Sequence, residues 1–283
     1  MAKKKTNIVT VGKHKYYLDG YLKSNLNNIR KIVKQDWDFV FLIDGMEGGG
    51  KSTFTIQLAL YLDPTLNMSR IVFDAVEFEK EILKAEKYQA IIYDEAITGL
   101  YSREAMQYIN TSLTKLLAQI RQKNLFIFVL MPTFFDMDKY VAMWRSRGLF
   151  HIYTKNFQRG YFVFYDHETK KDLYAVAKKY YNYHMRKPTF KGRFTSFNPF
   201  DKEYRAKKLK AIMDRADMQI NPMFQRDKLI QVMYYELGLS QVDICKYAGL
   251  GHSTIQFVCS KGRKLFGERK TTPHHLSIRS NLK

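Results

Sequence analysis

Cysteine is nearly absent from this chain of 283 residues, since Cys245 and Cys259 are the only two and no C-x-x-C spacing occurs. That excludes a disulfide framework and fits a reducing compartment. No transition-metal site is apparent. No apolar run is long enough to span a bilayer: the longest near-continuous stretch, Leu125 to Phe135, is short and contains Pro132. No apolar segment backs the N-terminal Lys3-Lys4-Lys5, so no secretory signal is expected. The expectation is a soluble cytoplasmic protein with no membrane partner. Internal repeats are lacking too. Acidic residues are scarce, 27 against 47 Lys and Arg, for a net charge of +20. The excess leans towards the C-terminus. Residues 184–283 hold 20 basic and 8 acidic residues (net +12), and residues 1–183 hold 27 and 19 (net +8). Such a balance favours polyanions, unless it is only solvated surface charge.

Gly45-Met46-Glu47-Gly48-Gly49-Gly50-Lys51-Ser52 meets the G-x-x-x-x-G-K-[ST] pattern at every defined position. The apolar run Phe39–Ile43 precedes it, and a helix from Lys51 to Leu62 should follow, stopped by Pro64. A strand, a glycine turn and a helix N-terminus aim backbone N–H groups and the positive helix end at one point, where a triphosphate fits. Gly45, Gly48, Gly49 and Gly50 keep Cβ atoms out of the way. Lys51 would reach the β- and γ-phosphates of ATP, and Ser52 would offer its hydroxyl to Mg2+, with Thr53 beside it.

Ala90-Ile91-Ile92-Tyr93-Asp94-Glu95 is an apolar strand ending in two acids. Asp94 would hold the hydration shell of Mg2+ and Glu95 would polarise the attacking water; taken alone, such an ending also suits an ordinary strand-to-helix cap. One strand lies between the two motifs, which points to the additional-strand class of ATPases, an α/β fold with parallel sheet order 5-1-4-3-2. Strands are expected at 40–44, 71–74, 90–94, 126–131 and 149–153. Helices are expected at 51–62, 76–87, 103–122 and about 138–145. Arg159 to Tyr165 with Leu173 to Val176 reads as a β-hairpin. Thr133, after the fourth strand, is either a γ-phosphate sensor or the first residue of a loop. Such ATPases complete their site with an arginine from a neighbouring subunit. Arg121, Arg145 and Arg147 are the candidates, unless they are surface cations or carboxylate partners.

Residues 44–53, Ile91 to Ala96, and the run from Gln119 through Leu125 to Pro132-Thr133-Phe134-Phe135 resemble the P-loop ATPases of phages and mobile elements. These are the FtsK/HerA translocases, small phage DNA-packaging ATPases and zonula-occludens-toxin-like proteins. The resemblance covers about residues 35–180. It implies a homo-oligomeric ring that moves double-stranded DNA, with a viral portal or another DNA-processing protein as partner. No acidic cluster is present to build the nuclease domain of large terminases.

Pro188, Gly192, Pro199 and Pro222 punctuate residues 184–226, which read as a basic linker, with room for a short basic helix over 202–213, between an ATPase domain at 1–183 and a module at 227–283 with a disordered tail. Within the module, Leu239 to Val258 looks like a helix-turn-helix, with Ser240 as first cap and Gly249 in the turn. Its second helix would present His252, Ser253, Thr254 and Gln256 to DNA bases and Lys261, Arg263 and Lys264 to phosphates. The same scaffold also docks proteins. The expected function is an ATP-hydrolysing DNA motor serving viral or mobile-element genome packaging. The rivals are an ATP-switched DNA-binding regulator, of replication initiation or partition, and a small-molecule kinase.

Overall fold

Runs of β-branched and aromatic residues become strands buried on both faces, as a parallel sheet requires. The computed structural model describes residues 7–94, 121–220 and 223–266. It divides into two units, residues 1–209 and 210–283.

In the first unit a two-stranded antiparallel ribbon, β1 (Ile8–Val11) and β2 (His14–Tyr17), leads into α1 (Gly20–Val33). Asp19 caps that helix by accepting the N–H groups of Tyr21 and Leu22. Then come β3 (Phe39–Gly45), α2 (Lys51–Leu62), β4 (Ile71–Val72), α3 (Ala75–Lys84), β5 (Ala90–Asp94), β6 (Phe126–Leu130), β7 (Gly148–Lys155) and β8 (Gln158–Tyr165). After them follow α4 (His167–Ala177), β9 (Phe190–Arg193) and α5 (Asp201–Ile220), whose residues from 210 on belong to the second unit. The main sheet runs β4-β5-β6-β3-β7-β8-β9. Its first five strands are parallel, and β8 and β9 join antiparallel. Counted from the strand before the glycine loop, the parallel part keeps the expected order 5-1-4-3-2, while the seven-stranded sheet as a whole does not match it. The parallel strands alone read β7-β3-β6-β5-β4, and two antiparallel strands extend the β7 edge.

Register positions the site. Ile43 of β3 pairs with Leu130 of β6, which pairs with Asp94 of β5. Asp94 thus ends its strand level with Ile43, two residues short of Gly45. The core around these strands includes Val40, Leu42, Ile91, Tyr93, Ile127 and Val129, all essentially inaccessible.

Several boundaries differ from the sequence reading. The hairpin is formed by β7 and β8 around Asn156 and Phe157, both at positive φ (49° and 59°), the geometry of a tight two-residue hairpin turn. Leu173 to Val176 is helical instead, because Asp166 accepts the Thr169 N–H at 2.9 Å and starts α4. The helix expected over about 138–145 forms over residues 139–145, and its last five residues, Val141–Arg145, take π-type hydrogen bonding. Most of the helix expected over 103–122 lies outside the described residues.

The linker reading of 184–226 is also corrected. Phe190 to Arg193 pairs with Phe164 to Tyr161 as the last strand, and residues up to 209 belong to the first unit. The Gln57 side chain of α2 donates to the carbonyls of Thr195 (2.7 Å) and Phe197 (2.8 Å), holding this segment down. Its Lys and Arg content suggested a solvated tether, while its aromatic residues are what dock it.

The second unit contains α6 (Phe224–Tyr235), α7 (Gln241–Ala248) and α8 (His252–Phe266). Ile230, Ile244, Ile255, Val258 and Cys259 form its core. Ser240 accepts the Asp243 N–H at 3.1 Å, and Gly249 ends α7 at φ 63°, so cap and turn stand where the sequence puts them. Gly262 permits the close crossing of α8 over α6, since a Cβ there would lie 2.8 Å from Gln231 and Tyr235.

One buried charge makes the first unit sensitive to pH. Lys170 of α4 is fully inaccessible, and its ammonium donates to the Ala142 carbonyl of the π-type turn. Burial pushes it down to about 7 from the usual 10.5. Between those values the unfolded chain binds more protons than the folded one, so stability rises with pH; below about 7 both forms are protonated and the burial penalty is complete. The slope from this group is at most about 1.4 kcal/mol per pH unit. Lys170→Met is expected to flatten it, as urea midpoints between pH 7 and 9.5 would register. Parallel curves for the two proteins would exclude Lys170 as the source.

Candidate functional site

The glycine turn leaves β3 at Gly45 and enters α2 at Gly50. Gly45 has φ 132°, and a Cβ on it would stand 2.1 Å from the Ile152 carbonyl oxygen of β7, so only glycine fits. Gly50 caps α2 in the left-handed region, φ 101°, with the Phe194 ring close above it. No side chain caps α2, which leaves its first N–H groups directed at the loop, the arrangement that favours an anion. Gly48 and Gly49 complete the curl, and Gly49 N–H donates to the Met46 carbonyl at 3.1 Å.

Lys51 is 7% exposed, and its Nζ donates to the carbonyls of Gly45 (2.5 Å) and Met46 (3.1 Å). Burial lowers its pKa, while the charges of Asp94, Asp44 and Glu47 pull it back up. Ser52, in the first turn of α2, donates to Asp94 Oδ2 at 2.6 Å, and Asp94 is fully buried. The two motifs therefore meet: a loop ending one strand and an acid ending another, 42 residues away, share a hydrogen bond. Thr53, the next residue of α2, lines the cleft outside the loop. Glu95 lies outside the described residues.

The donor set fits the cofactors that the sequence implies. Mg2+ prefers hard oxygen ligands, and the Ser52 hydroxyl and Asp94 carboxylate are two such groups side by side at the helix N-terminus. No cluster of three His, Cys, Asp or Glu occurs among the described residues, so a softer metal finds no set there. The cleft over the loop measures about 450 Å³. A glycine cradle of this kind at the C-terminal end of a mostly parallel sheet is shaped to hold the phosphates of a nucleotide.

Sequence reasoning missed several contributors. Tyr204 of α5 hydrogen-bonds both Asp94 Oδ2 (2.6 Å) and Ser52 Oγ (2.8 Å). Arg159 reaches in from β8, its Nη2 standing 3.7 Å from where a Gly48 Cβ would be, and Lys208 lines the same cleft. No local motif marks any of these. Asp44, the residue before the loop, is a buried hub. It accepts from Phe134 N–H at 2.8 Å and from the Tyr183 hydroxyl, and lies 2.8 Å from His151 Nδ1. An acid closing an apolar strand was the available signal.

The predicted second-rank residues scatter. Thr133 caps a short turn through Phe135 N–H and lies 3.3 Å from the Tyr183 hydroxyl, so its own hydroxyl is tied into the Asp44 cluster. Arg145 is spent on a buried ion pair with Asp38, at the opposite end of β3 from the loop. A guanidinium held that way is a structural partner and not an arginine to be lent to a neighbour. Arg147, on the same side, stacks over Trp37 at 5.0 Å. Arg121 opens a 3-10 turn, Arg121–Lys123.

In the second unit α8 exposes His252, Ser253, Gln256, Lys261 and Arg263, with Thr254 half-buried; Lys264 lies on the same helix. Lys261 extends over the exposed Phe257 ring at 4.2 Å. Ile255, Val258 and Cys259 turn the other way into the core, so the helix has one apolar and one polar face. Among the described residues no helix is long and apolar enough to cross a membrane.

No family model and no curated protein matches the sequence. Among solved structures, the chain is similar to the N-terminal domain of zonular occludens toxin from Neisseria meningitidis. The identity is 15% and the TM-score 0.34, over 58% of this chain and 96% of that one.

Proposed function

We propose that this chain binds ATP with Mg2+ at the glycine loop, hydrolyses it, and uses the turnover to move double-stranded DNA. The observation that carries the reading is the Ser52–Asp94 hydrogen bond beside the buried Lys51, because it joins phosphate cradle and cation ligands in one place. The loop N–H groups and Lys51 hold the β- and γ-phosphates. Ser52 and Asp94 hold Mg2+, which when bound neutralises phosphate charge. Glu95, the next residue after Asp94, orients water for attack. Arg159 is a cation that the chain itself brings beside Gly48, and it offsets charge on the phosphates from within the subunit.

The DNA half of the reading rests on the exposed face of α8 and on the net +12 of residues 184–283. Ring assembly and a role in packaging a viral or mobile-element genome follow from the resemblance of the motifs. DNA affinity should fall steeply with salt, since Lys and Arg would meet the phosphate backbone.

The test is steady-state ATP turnover with and without long duplex DNA, for the wild type and Glu95→Gln. Strong stimulation by DNA is expected. Glu95→Gln should still bind nucleotide while losing about 10²-fold or more in turnover. Turnover indifferent to DNA would favour an ATP-switched regulator, and transfer of phosphate to a nucleoside would favour a kinase.

A further inference from the structure

The Tyr204 hydroxyl forms a triangle of oxygens with the two candidate magnesium ligands, 2.6 Å from Asp94 Oδ2 and 2.8 Å from Ser52 Oγ, which are themselves 2.6 Å apart. Tyr204 is 8% exposed. The phenol donates to the Asp94 carboxylate. Its ring packs on the buried Phe73, centroids 5.6 Å apart. The surrounding helix is pinned separately: Lys207 donates to the Ile71 carbonyl (2.7 Å) and to the Glu77 carboxylate (2.6 Å). The hydroxyl is thus delivered to the site by a segment that is anchored without it.

A serine that ligates a cation offers a lone pair and must send its proton elsewhere. Among the described residues Asp94 Oδ2 accepts it at 2.6 Å, and the Tyr204 hydroxyl donates towards both oxygens. An aspartate that holds the hydration shell of a cation must keep its carboxylate plane fixed, and a second donor on the same oxygen does that. Tyr204 is that donor, and its contact with Ser52 Oγ holds the serine beside the same oxygen. We infer that Tyr204 is a positioning residue of the magnesium site, whose hydroxyl fixes Asp94 and Ser52 in the orientation that binds the cation. The inference rests on the Mg-ATP reading above. It deepens that reading by adding a residue from beyond the five parallel strands and the loop.

The experiment uses the full chain and a fluorescent ATP analogue, with Mg2+ varied at fixed nucleotide. Tyr204→Phe is expected to raise the Mg2+ concentration for half-maximal binding about 10-fold, the scale at which outer partners of metal ligands act, and to leave Mg2+-free nucleotide binding unchanged. A thermal melt of the same variant checks that the ring alone keeps the fold. If the phenylalanine form does not accumulate, Tyr204→Met removes the same hydroxyl while filling the space. An unchanged midpoint would reduce Tyr204 to packing. A lowered midpoint would mean that the hydroxyl competes with the cation, and would equally overturn the assignment. A wild type that shows no Mg2+-dependent binding at all would sink the nucleotide reading itself, an outcome separate from either result in the variant.

Discussion

Lys51→Ala is expected to lower ATP turnover by at least 10²-fold, the cost of removing one preorganised charge from a phosphoryl-transfer site (about 3 kcal/mol or more). The ammonium is nearly enclosed, and both of its carbonyl partners, Gly45 and Met46, belong to the loop that would surround the phosphates. It therefore has a double task. It ties the loop into its curl and supplies positive charge where the triphosphate lies. Lys51→Met keeps the stem and most of the packing while removing the charge, so the two variants separate loop shape from electrostatics. If charge dominates, both lose turnover alike and nucleotide affinity falls in both. Single-turnover hydrolysis and nucleotide titration read the two quantities. Turnover within twofold of wild type in both variants would remove Lys51 from the chemistry.

Gly45→Ala should be the most destabilising single-methyl change in the first unit. Two terms combine at this position. The backbone sits at φ 132°, where an L side chain is strained by about 1–3 kcal/mol, and the added Cβ would overlap the Ile152 carbonyl oxygen of the neighbouring strand. Relieving that overlap means prising β7 from β3, the overpacking penalty of about 1–3 kcal/mol. The expected loss is therefore roughly 2–6 kcal/mol in urea unfolding. Gly249→Ala in the second unit isolates one term, since φ is 63° and nothing lies within 4 Å. It should cost only about 1–2 kcal/mol. Equal losses at the two glycines would show that strand overlap contributes little.

The glycine loop, its helix and the strand ending in Asp94 were readable because each depends on neighbours in sequence: glycines for the curl, Lys51 and Ser52 at a helix start, an acid closing an apolar run. The α7 cap and turn were readable for the same reason, as Ser240 and Gly249 act within three or four residues. The helix of residues 173–176 was misread because a short apolar run carries no period of its own, and the deciding contact is the Asp166 cap upstream.

Residues 190–208 show the opposite limit. Their basic composition looks like a tether, yet Tyr204 meets Asp94 across 110 residues and Gln57 holds Thr195 across 138. Whether Arg145 is lent to a neighbour, solvated or paired with a carboxylate was likewise open in the sequence, and folding decides it by setting the guanidinium against Asp38, 107 residues away. Caps, turns and phosphate loops are short-range devices, satisfied by backbone geometry over a few residues, so order along the chain is enough to specify them. Which hydroxyl reaches the Ser52–Asp94 pair, and which arginine is consumed in a buried ion pair, depends on strand order and docking. Those contacts exist only once distant segments have paid their ordering entropy together, and no local pattern records them.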